Sequence, residues 1–478
     1  MTGVGVLKNR ILRWFYSNQR EEDVAQHLTS GCDQQPLVWT TMKTLARAVV
    51  LLALSASCLT AQRLQMRLVT SGYAWQRQDT VDQSSQHLFG YQTVQLSLAG
   101  TDLSFHTYLQ GFNDFSGPLK NEGLVRLYNL YFKWTNIAQI GDISVGRQAI
   151  YAGVGSGTID GGTAAVRLFD SRLKLLGYYG SLAAPQQKAK LISDAKDNYM
   201  TGAQVVGSPV EFAQLSVSYV NKHIQREAYV AMRRDSLFNP FPVEINPTAS
   251  AEQYVSGDLN VDYNTLISAY LRYDYDLNLG KDARFQFFTR VKPFESLDVG
   301  FLKPLGFTAE YLQREPRLSF NSIFWVFAYN TLKDYELGGE YAITPVWQVF
   351  AKYGSVSYGD DDSKRVTVGA NGDHVSISLT RNTGYAGQLS AASANFGYPL
   401  YQNKLMPTIM VSYARYKLGE GATQLDDALS LALGVVYRPI PVISFDTQAQ
   451  WIQNKIYKND LRLFLRVSYL FSQQLGIF

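Results

Sequence analysis

The sequence predicts an all-β fold, a closed antiparallel transmembrane β-barrel of roughly 16 to 22 strands with a water-filled or loop-plugged lumen. Three observations lead there. Segments of around ten residues alternate greasy and polar side chains, which places the two kinds on opposite faces of a strand. The aromatic share is 13%, with 31 Tyr and 25 Phe, residues that pack well on pleated surfaces. Beyond residue 61 no run reaches the ≥ 18 consecutive apolar residues of a spanning helix.

The chain divides into three parts. Residues 1–41 form an upstream extension, polar and without a clear partner segment, which we read as a start assigned too early or a disordered leader. Residues 42–61, "MKTLARAVVLLALSASCLTA", run from basic Lys43 and Arg47 through an apolar stretch to small residues ending at Ala61, the order of a secretory signal peptide. A membrane anchor is the competing reading, but the apolar stretch falls well short of the roughly 20 residues a spanning helix needs. Residues 62–478 are the barrel. Cys32 and Cys58 are the only cysteines, so a chain cut after Ala61 has neither a disulfide nor a thiolate metal site. Cys58 as a lipid acceptor is disfavoured by Ser55, which stands where such a signal wants leucine.

Within residues 62–478 the alternation recurs throughout. Ala213, Leu215, Val217 and Tyr219 oppose Gln214, Ser216 and Ser218, and Leu271, Tyr273 and Tyr275 oppose Arg272, Asp274 and Asp276. Phe285, Phe287 and Val291 oppose Gln286, Arg290 and Lys292, while Leu429, Leu431, Leu433, Val435 and Tyr437 oppose small or polar residues and Arg438. Near the end, Leu461, Leu463, Leu465, Val467, Tyr469 and Phe471 share one face, with Arg462, Arg466 and Ser468 on the other. Turn sequences such as "NLGKDA", "RPIP", "NKIYKND" and "ANGD" separate these runs, as in antiparallel meanders. Two stretches, Arg233 to Gln253 and the acidic "GDDDSK" from Gly359, read as longer loops on one rim.

A soluble sandwich shows the same alternation with the greasy face as its core. Run length decides against it, because sandwich strands have a mode near five or six residues, whereas about ten cross a bilayer at a tilt. In hydrocarbon each unsatisfied backbone group costs several kcal/mol, so a spanning sheet must close and its last strand must pair with its first. Facing Arg462 or Arg466 to lipid would cost roughly 2 to 4 kcal/mol each at the midplane, which turns both inward. By the same reasoning the pore-lining candidates are Arg147, Asp160, Arg272, Asp274, Asp276, Arg290, Lys292, Lys352, Asp446, Arg462 and Arg466. Charges of both signs argue against a strongly ion-selective bore.

The pattern of Val467, Tyr469 and Phe471, with a terminal Phe478, resembles the closing strand by which bacterial outer-membrane barrels are recognised for assembly. Here "SQQLGIF" follows Phe471, which leaves either phenylalanine as the signal. "GDISVGRQAIYAGVGSGTIDGG", from Gly141 to Gly162, resembles the Gly-Arg-Gln strand and glycine-rich turn of porin-type and polysaccharide-export barrels. The resemblance implies an outer-membrane channel that passes small hydrophilic solutes, with outer-membrane lipid and the barrel-assembly machinery as partners and a homo-oligomer as one form. Partner-dependent export of a polysaccharide or other polymer is an alternative, as is a sleeve around an electron-transfer protein.

Other readings fare worse. The glycine-rich stretch lacks the Lys-Ser/Thr pair and following helix of a phosphate loop, and reads instead as a tight or inward-folded loop with Arg147 and Asp160 near the wall. An outer-membrane hydrolase is disfavoured, since His87, His106, His223 and His374 are scattered and no nucleophile elbow or zinc-binding His pair appears. No catalytic residue, cofactor or metal is expected, and Asp360, Asp361 and Asp362 read as a solvated charge run. A net charge of +4, without a basic cluster, gives no case for nucleic acid.

Overall fold

The computed structural model describes residues 63–116, 125–192, 195–225, 229–234, 239–245, 252–297, 300–316, 330–384, 387–417 and 424–474. The upstream extension, the signal segment and Phe478 lie outside the described residues, as does Ser319, near which the alternation is interrupted in sequence.

Twenty-two strands form one antiparallel sheet. From β1 (Arg63–Asp79), β2 (Ser84–Ala99), β3 (Leu103–Asp114) and β4 (Val125–Ile137), each strand pairs with the next. The series runs on through β5 (Gly141–Ala152), β6 (Gly155–Leu168), β7 (Leu173–Leu182), β8 (Asn198–Val210) and β9 (Ala213–Ile224). There β10 (Tyr229–Arg234) and β11 (Pro240–Ile245) form a separate hairpin, and β9 pairs instead with β12 (Glu252–Tyr263). The meander resumes to β24 (Tyr457–Gln474), which pairs with β1 from Arg63↔Gln474 to Asp79↔Tyr457. That last ladder closes the cylinder and leaves its wall without a free edge.

One face of the sheet is apolar and largely exposed, with Leu96, Leu98 and Phe105 the buried apolar positions on it. Leu461, Leu463, Leu465, Val467 and Tyr469 are on it, with Leu215, Val217, Leu337, Val411 and Leu433 from other strands. Aromatic rings collect at both ends of this band. Trp134, Phe212, Tyr263, Tyr437 and Phe445 are near the rim where β1 begins and β24 ends, and Tyr219, Tyr273, Tyr335 and Tyr413 near the other. Between the levels of Tyr437, opposite Leu405, and Tyr413 the strand advances eight residues. That is about 27 Å at ~3.4 Å per residue, or roughly 20 Å of height at a tilt of 35–45°, close to the ~25 Å apolar band of outer-membrane barrels.

The opposite face is polar and concave. Its side chains converge, so that partners two strands apart meet: Arg290 of β14 (Lys281–Val291) binds Glu340 of β16 (Leu332–Ala342). Connections at the rim where β1 begins and β24 ends are mostly short, such as 100–102, 138–140 and 441–442, with 292–304 the longest. Longer ones, including 183–197 and 225–251, gather at the other rim. Two loop expectations change. The Arg233–Gln253 stretch contains β11 and the start of β12, and "GDDDSK" is a tight hairpin rather than a long loop, because β18 (Asp361–Asn371) begins two residues after Gly359. Gly359 itself turns the chain at φ 66°.

Candidate functional site: the lumen wall and an in-folded hairpin

The lumen wall carries ion pairs in two arcs, from Asp258 to Arg365 and from Asp446 to Arg77, mounted on strand residues that alternate with the lipid-facing set. Lys352 of β17 (Gln348–Tyr358) lies 2.8 Å from Glu336 of β16, which also receives Arg365 of β18 at 2.9 Å. Arg272 of β13 (Ile267–Asp276) is 2.8 Å from Asp274 and 3.8 Å from Asp258 of β12. On β24, Arg466 pairs with Asp446 of β23 (Ile443–Gln453) at 2.6 Å, and Arg462 with Asp460 at 2.7 Å. Asp460 also accepts from Arg77 of β1 at 3.1 Å, so one fully buried carboxylate joins two guanidiniums across the seam that closes the barrel. Lys292 sits beyond the end of β14, 3.7 Å from Glu295 in the rim turn. Asp276 is 2% exposed and caps the β13–β14 turn, accepting from the backbone N–H groups of Asn278 and Leu279, so its carboxylate shapes a turn instead of facing solute.

Arg147 and Asp160 have a different setting. On β5 Ile143, Val145 and Arg147 share a face by strict alternation, and that face is lipid-exposed at Ile143 and Val145. Arg147 nevertheless avoids lipid, because the hairpin it belongs to leaves the wall. Pairing of β4 with β5 runs from Ile137↔Gly141 only to Leu130↔Arg147, although β4 continues to Val125. The bend is at Gly146, whose φ of 131° few L side chains adopt, and where a Cβ would strike Leu130 and Tyr131.

Beyond the bend, the β5–β6 hairpin lies against the inner face of β7, β8 and β9. Ile150, Ala152 and Ile159 pack with Tyr178, Met200 and Val220 in the most deeply buried apolar cluster of the described residues. At the tip the Val154 N–H donates to Ser218 Oγ of β9 at 3.0 Å, next to Gly153 at φ 58°, where a side chain would collide with the same Ser218. Folding a page of wall inward brings its lumen face onto the neighbouring lumen face and turns its lipid face toward the bore. Tyr151, 83% exposed, now stands on that turned face.

Arg147 is the clamp of the fold-over. Its Nε and Nη2 donate to the two Asp160 carboxylate oxygens, both at 2.6 Å. The same guanidinium donates to Leu127 O of β4 at 3.3 Å, and to Lys188 O and Lys190 O at 2.7 and 2.9 Å. Those lysines belong to the 183–197 connection, which bridges Arg126 to Lys188 and so fills the place the hairpin vacated beside β4. The side chain is 4% exposed. Ser144 and Gln148 bond each other at 2.5 Å beside the bend, and Ser144 meets Thr163 at 2.6 Å.

Several wall residues escaped the sequence reading. Asp334, Glu336 and Glu340 alternate with Tyr335, Leu337 and Tyr341, a pattern that would have found them. Arg77, Asp258, Arg365 and Asp460 likewise share the polar face with residues that were singled out.

A closed antiparallel cylinder with lipid-facing aromatics and aliphatics outside and ion pairs within is the architecture of an outer-membrane β-barrel. No described protein family matches the sequence, and no curated protein matches it. Solved structures of similar form include OccAB3 of Acinetobacter baumannii, at 11% identity over 86% of this chain and 99% of that one, TM-score 0.39. Pseudomonas aeruginosa OpdL gives 12% identity over 86% and 99%, TM-score 0.38. The translocation pore of the P pilus usher PapC gives 8% identity over 84% and 99%, TM-score 0.46. The fold itself rests on the strand ladders and the side chains described above.

Proposed function

We propose that the protein is an outer-membrane channel through which small hydrophilic solutes diffuse past inward side chains, narrowed on one side by the in-folded hairpin. The observation that supports this most is the paired character of the wall. Arg466–Asp446, Lys352–Glu336 and Arg272–Asp274 each place a donor-rich and an acceptor-rich group side by side, which replaces the hydrogen bonds of a hydrated solute without strong preference for either ion. The pore-lining set is then Arg272, Asp274, Arg290, Lys352, Asp446, Arg462 and Arg466 on the wall, with Arg147 and Asp160 fixing the hairpin. Export by the signal segment 42–61 and recognition of Val467, Tyr469 and Phe471 by the assembly machinery belong to the same reading. The rim with short turns, where β1 begins and β24 ends, faces the periplasm, and the long connections face outward.

Reconstitution in planar bilayers tests it. Stable open steps whose size changes in Arg466→Ala support the channel; a folded barrel with no conductance at any voltage contradicts it.

A further inference from the structure

A cation facing lipid is costly at mid-membrane, so arginines on these strands are expected inside, yet Arg381 faces out. On β19 (Val375–Gly384) it shares the outward face of Ile377 and Leu379, and it makes no ion pair among the described residues. Three more cations do the same near this rim. Lys364 shares the outward face of Val366 on β18, and Arg415 and Lys417 share that of Val411 and Tyr413 on β21 (Leu405–Lys417). Lys333 of β16 flanks them on the outward face of Tyr335. Outward positions near the same rim on β1, β3, β9 and β12 hold amides instead, Gln78, Asn113, Asn221 and Gln253. The outward cations are therefore gathered on one arc, β16 to β21, beside the Tyr335, Tyr353 and Tyr413 rings that mark the headgroup level.

Arg381 and Arg415 flank Ser390 of β20 (Gln388–Gly397), each in register with it. Two strand spacings put their Cα atoms about 10 Å apart, a gap that two guanidiniums can close on one phosphate. Toward mid-membrane β20 next turns Ala392 and then Ala394 outward, between Leu379 and Ile377 on one side and Tyr413 and Val411 on the other. The result is a furrow with a methyl floor, leading from the cations into the apolar band. Arg415 is 3.9 Å from Asp427 of β22 (Asp426–Ile440), but both side chains are more than half exposed, and so open a pair leaves the guanidinium able to take a second partner.

We propose that this arc binds a phosphorylated lipid of the outer leaflet, with its phosphates on Arg381, Arg415, Lys364 and Lys417 and an acyl chain along the furrow of β20. The proposal rests on the outer-membrane reading above, with the long connections outward. Charge and height select that occupant. With Asp362 and Asp427 as the outward carboxylates beside them, the four cations keep a positive surplus, and an anion at this level of a lipid-facing wall is a headgroup.

Native mass spectrometry of the intact barrel in detergent tests it, with bisphosphorylated lipid A as probe and phosphatidylcholine, whose phosphate is balanced by its own ammonium, as the comparison. One lipid A should stay bound where phosphatidylcholine is shed. Arg381→Gln and Arg415→Gln should each weaken lipid A retention about tenfold, the loss expected for one charge-assisted contact. Lys404→Gln, an exposed cation at the opposite rim, should leave it unchanged, while heat-shifted gel mobility shows every variant folded. Ala392→Phe fills the furrow with the cations in place and should also weaken retention. Full retention in both arginine variants, or an equal loss in Lys404→Gln, overturns the site. Phosphatidylcholine held as firmly as lipid A overturns the phosphate assignment, and full retention in Ala392→Phe overturns the furrow. Binding in detergent does not depend on which leaflet the arc meets, so these outcomes judge the site alone; a protein that stays dissolved without detergent fails the outer-membrane reading and the site with it.

Discussion

Truncating Arg147 to alanine should release the hairpin without opening the barrel. The guanidinium is 4% exposed and makes five hydrogen bonds, two to Asp160 and one each to Leu127, Lys188 and Lys190 carbonyls. Alanine leaves the Asp160 carboxylate, 10% exposed, without its counter-charge. Removing one partner of a buried pair costs about 3–5 kcal/mol, because the remaining charge stays desolvated. Spread over the docked and undocked hairpin, that is between about a hundredfold and several thousandfold in their ratio. The pairing that closes the cylinder, β24 with β1, is four strands from β5 and shares no residue with the clamp, so folding of the wall should survive. Single-channel recording is the assay: the parent should give quiet steps, and Arg147→Ala should give a larger, flickering current as the hairpin leaves and rejoins the wall. Replacing both charges, Arg147→Met with Asp160→Leu, should restore much of the quiet, since a buried pair exchanged for apolar groups is close to neutral. A trace for Arg147→Ala as quiet as the parent's would refute the clamp.

Further outcomes follow from the same geometry. Gly153→Val forces a β-branched side chain into a left-handed turn and against Ser218, so it should reproduce the flicker of Arg147→Ala while leaving the urea midpoint of the barrel unchanged. Leu465→Arg places a cation on the lipid face near mid-strand and should lower folding stability in vesicles by about 2–4 kcal/mol, whereas Gln448→Arg, inward beside Phe464, should cost little. Glu336→Gln removes the carboxylate shared by Lys352 and Arg365 and should move the reversal potential in a salt gradient toward anion preference, with an unchanged potential as the contrary result.

How far the sequence could be read depended on whether a strand had one greasy face or two. On β24 the odd positions from Leu461 to Phe471 are uniformly apolar, so its lipid face and the inward placement of Arg466 follow from them even though Phe464 joins the arginines inside, and closure of the sheet gives its pairing with β1. β1 to β3 were harder, because Tyr73, Trp75, Phe89 and Phe112 put rings on the lumen face as well, and two apolar faces cancel the period-two signal. Arg147 was singled out by its charge beside a glycine-rich run, yet its position on β5 matches that of lipid-facing Val145. Only the bend at Gly146 reconciles charge with position, and a bend inward depends on β7 to β9 offering Tyr178, Met200 and Val220 to the hairpin, contacts between segments that no local pattern contains. Asp276 read as a wall charge because it continues the Arg272, Asp274 alternation; its role as a turn cap is set by the backbone of Asn278 and Leu279.

Barrel and channel alike depend on which side of the sheet meets lipid. The barrel region contains no cysteine, so single cysteines can be placed along β24 without background labelling. Leu461, Leu463, Leu465 and Val467, each replaced in turn by cysteine in vesicle-embedded protein, should resist a membrane-impermeant thiol reagent and have attached fluorophores quenched by spin-labelled lipid chains. Arg462, Phe464, Arg466 and Ser468, replaced likewise, should react through the lumen and escape that quenching. Equal reactivity at odd and even positions, or the reverse pattern, would contradict the account.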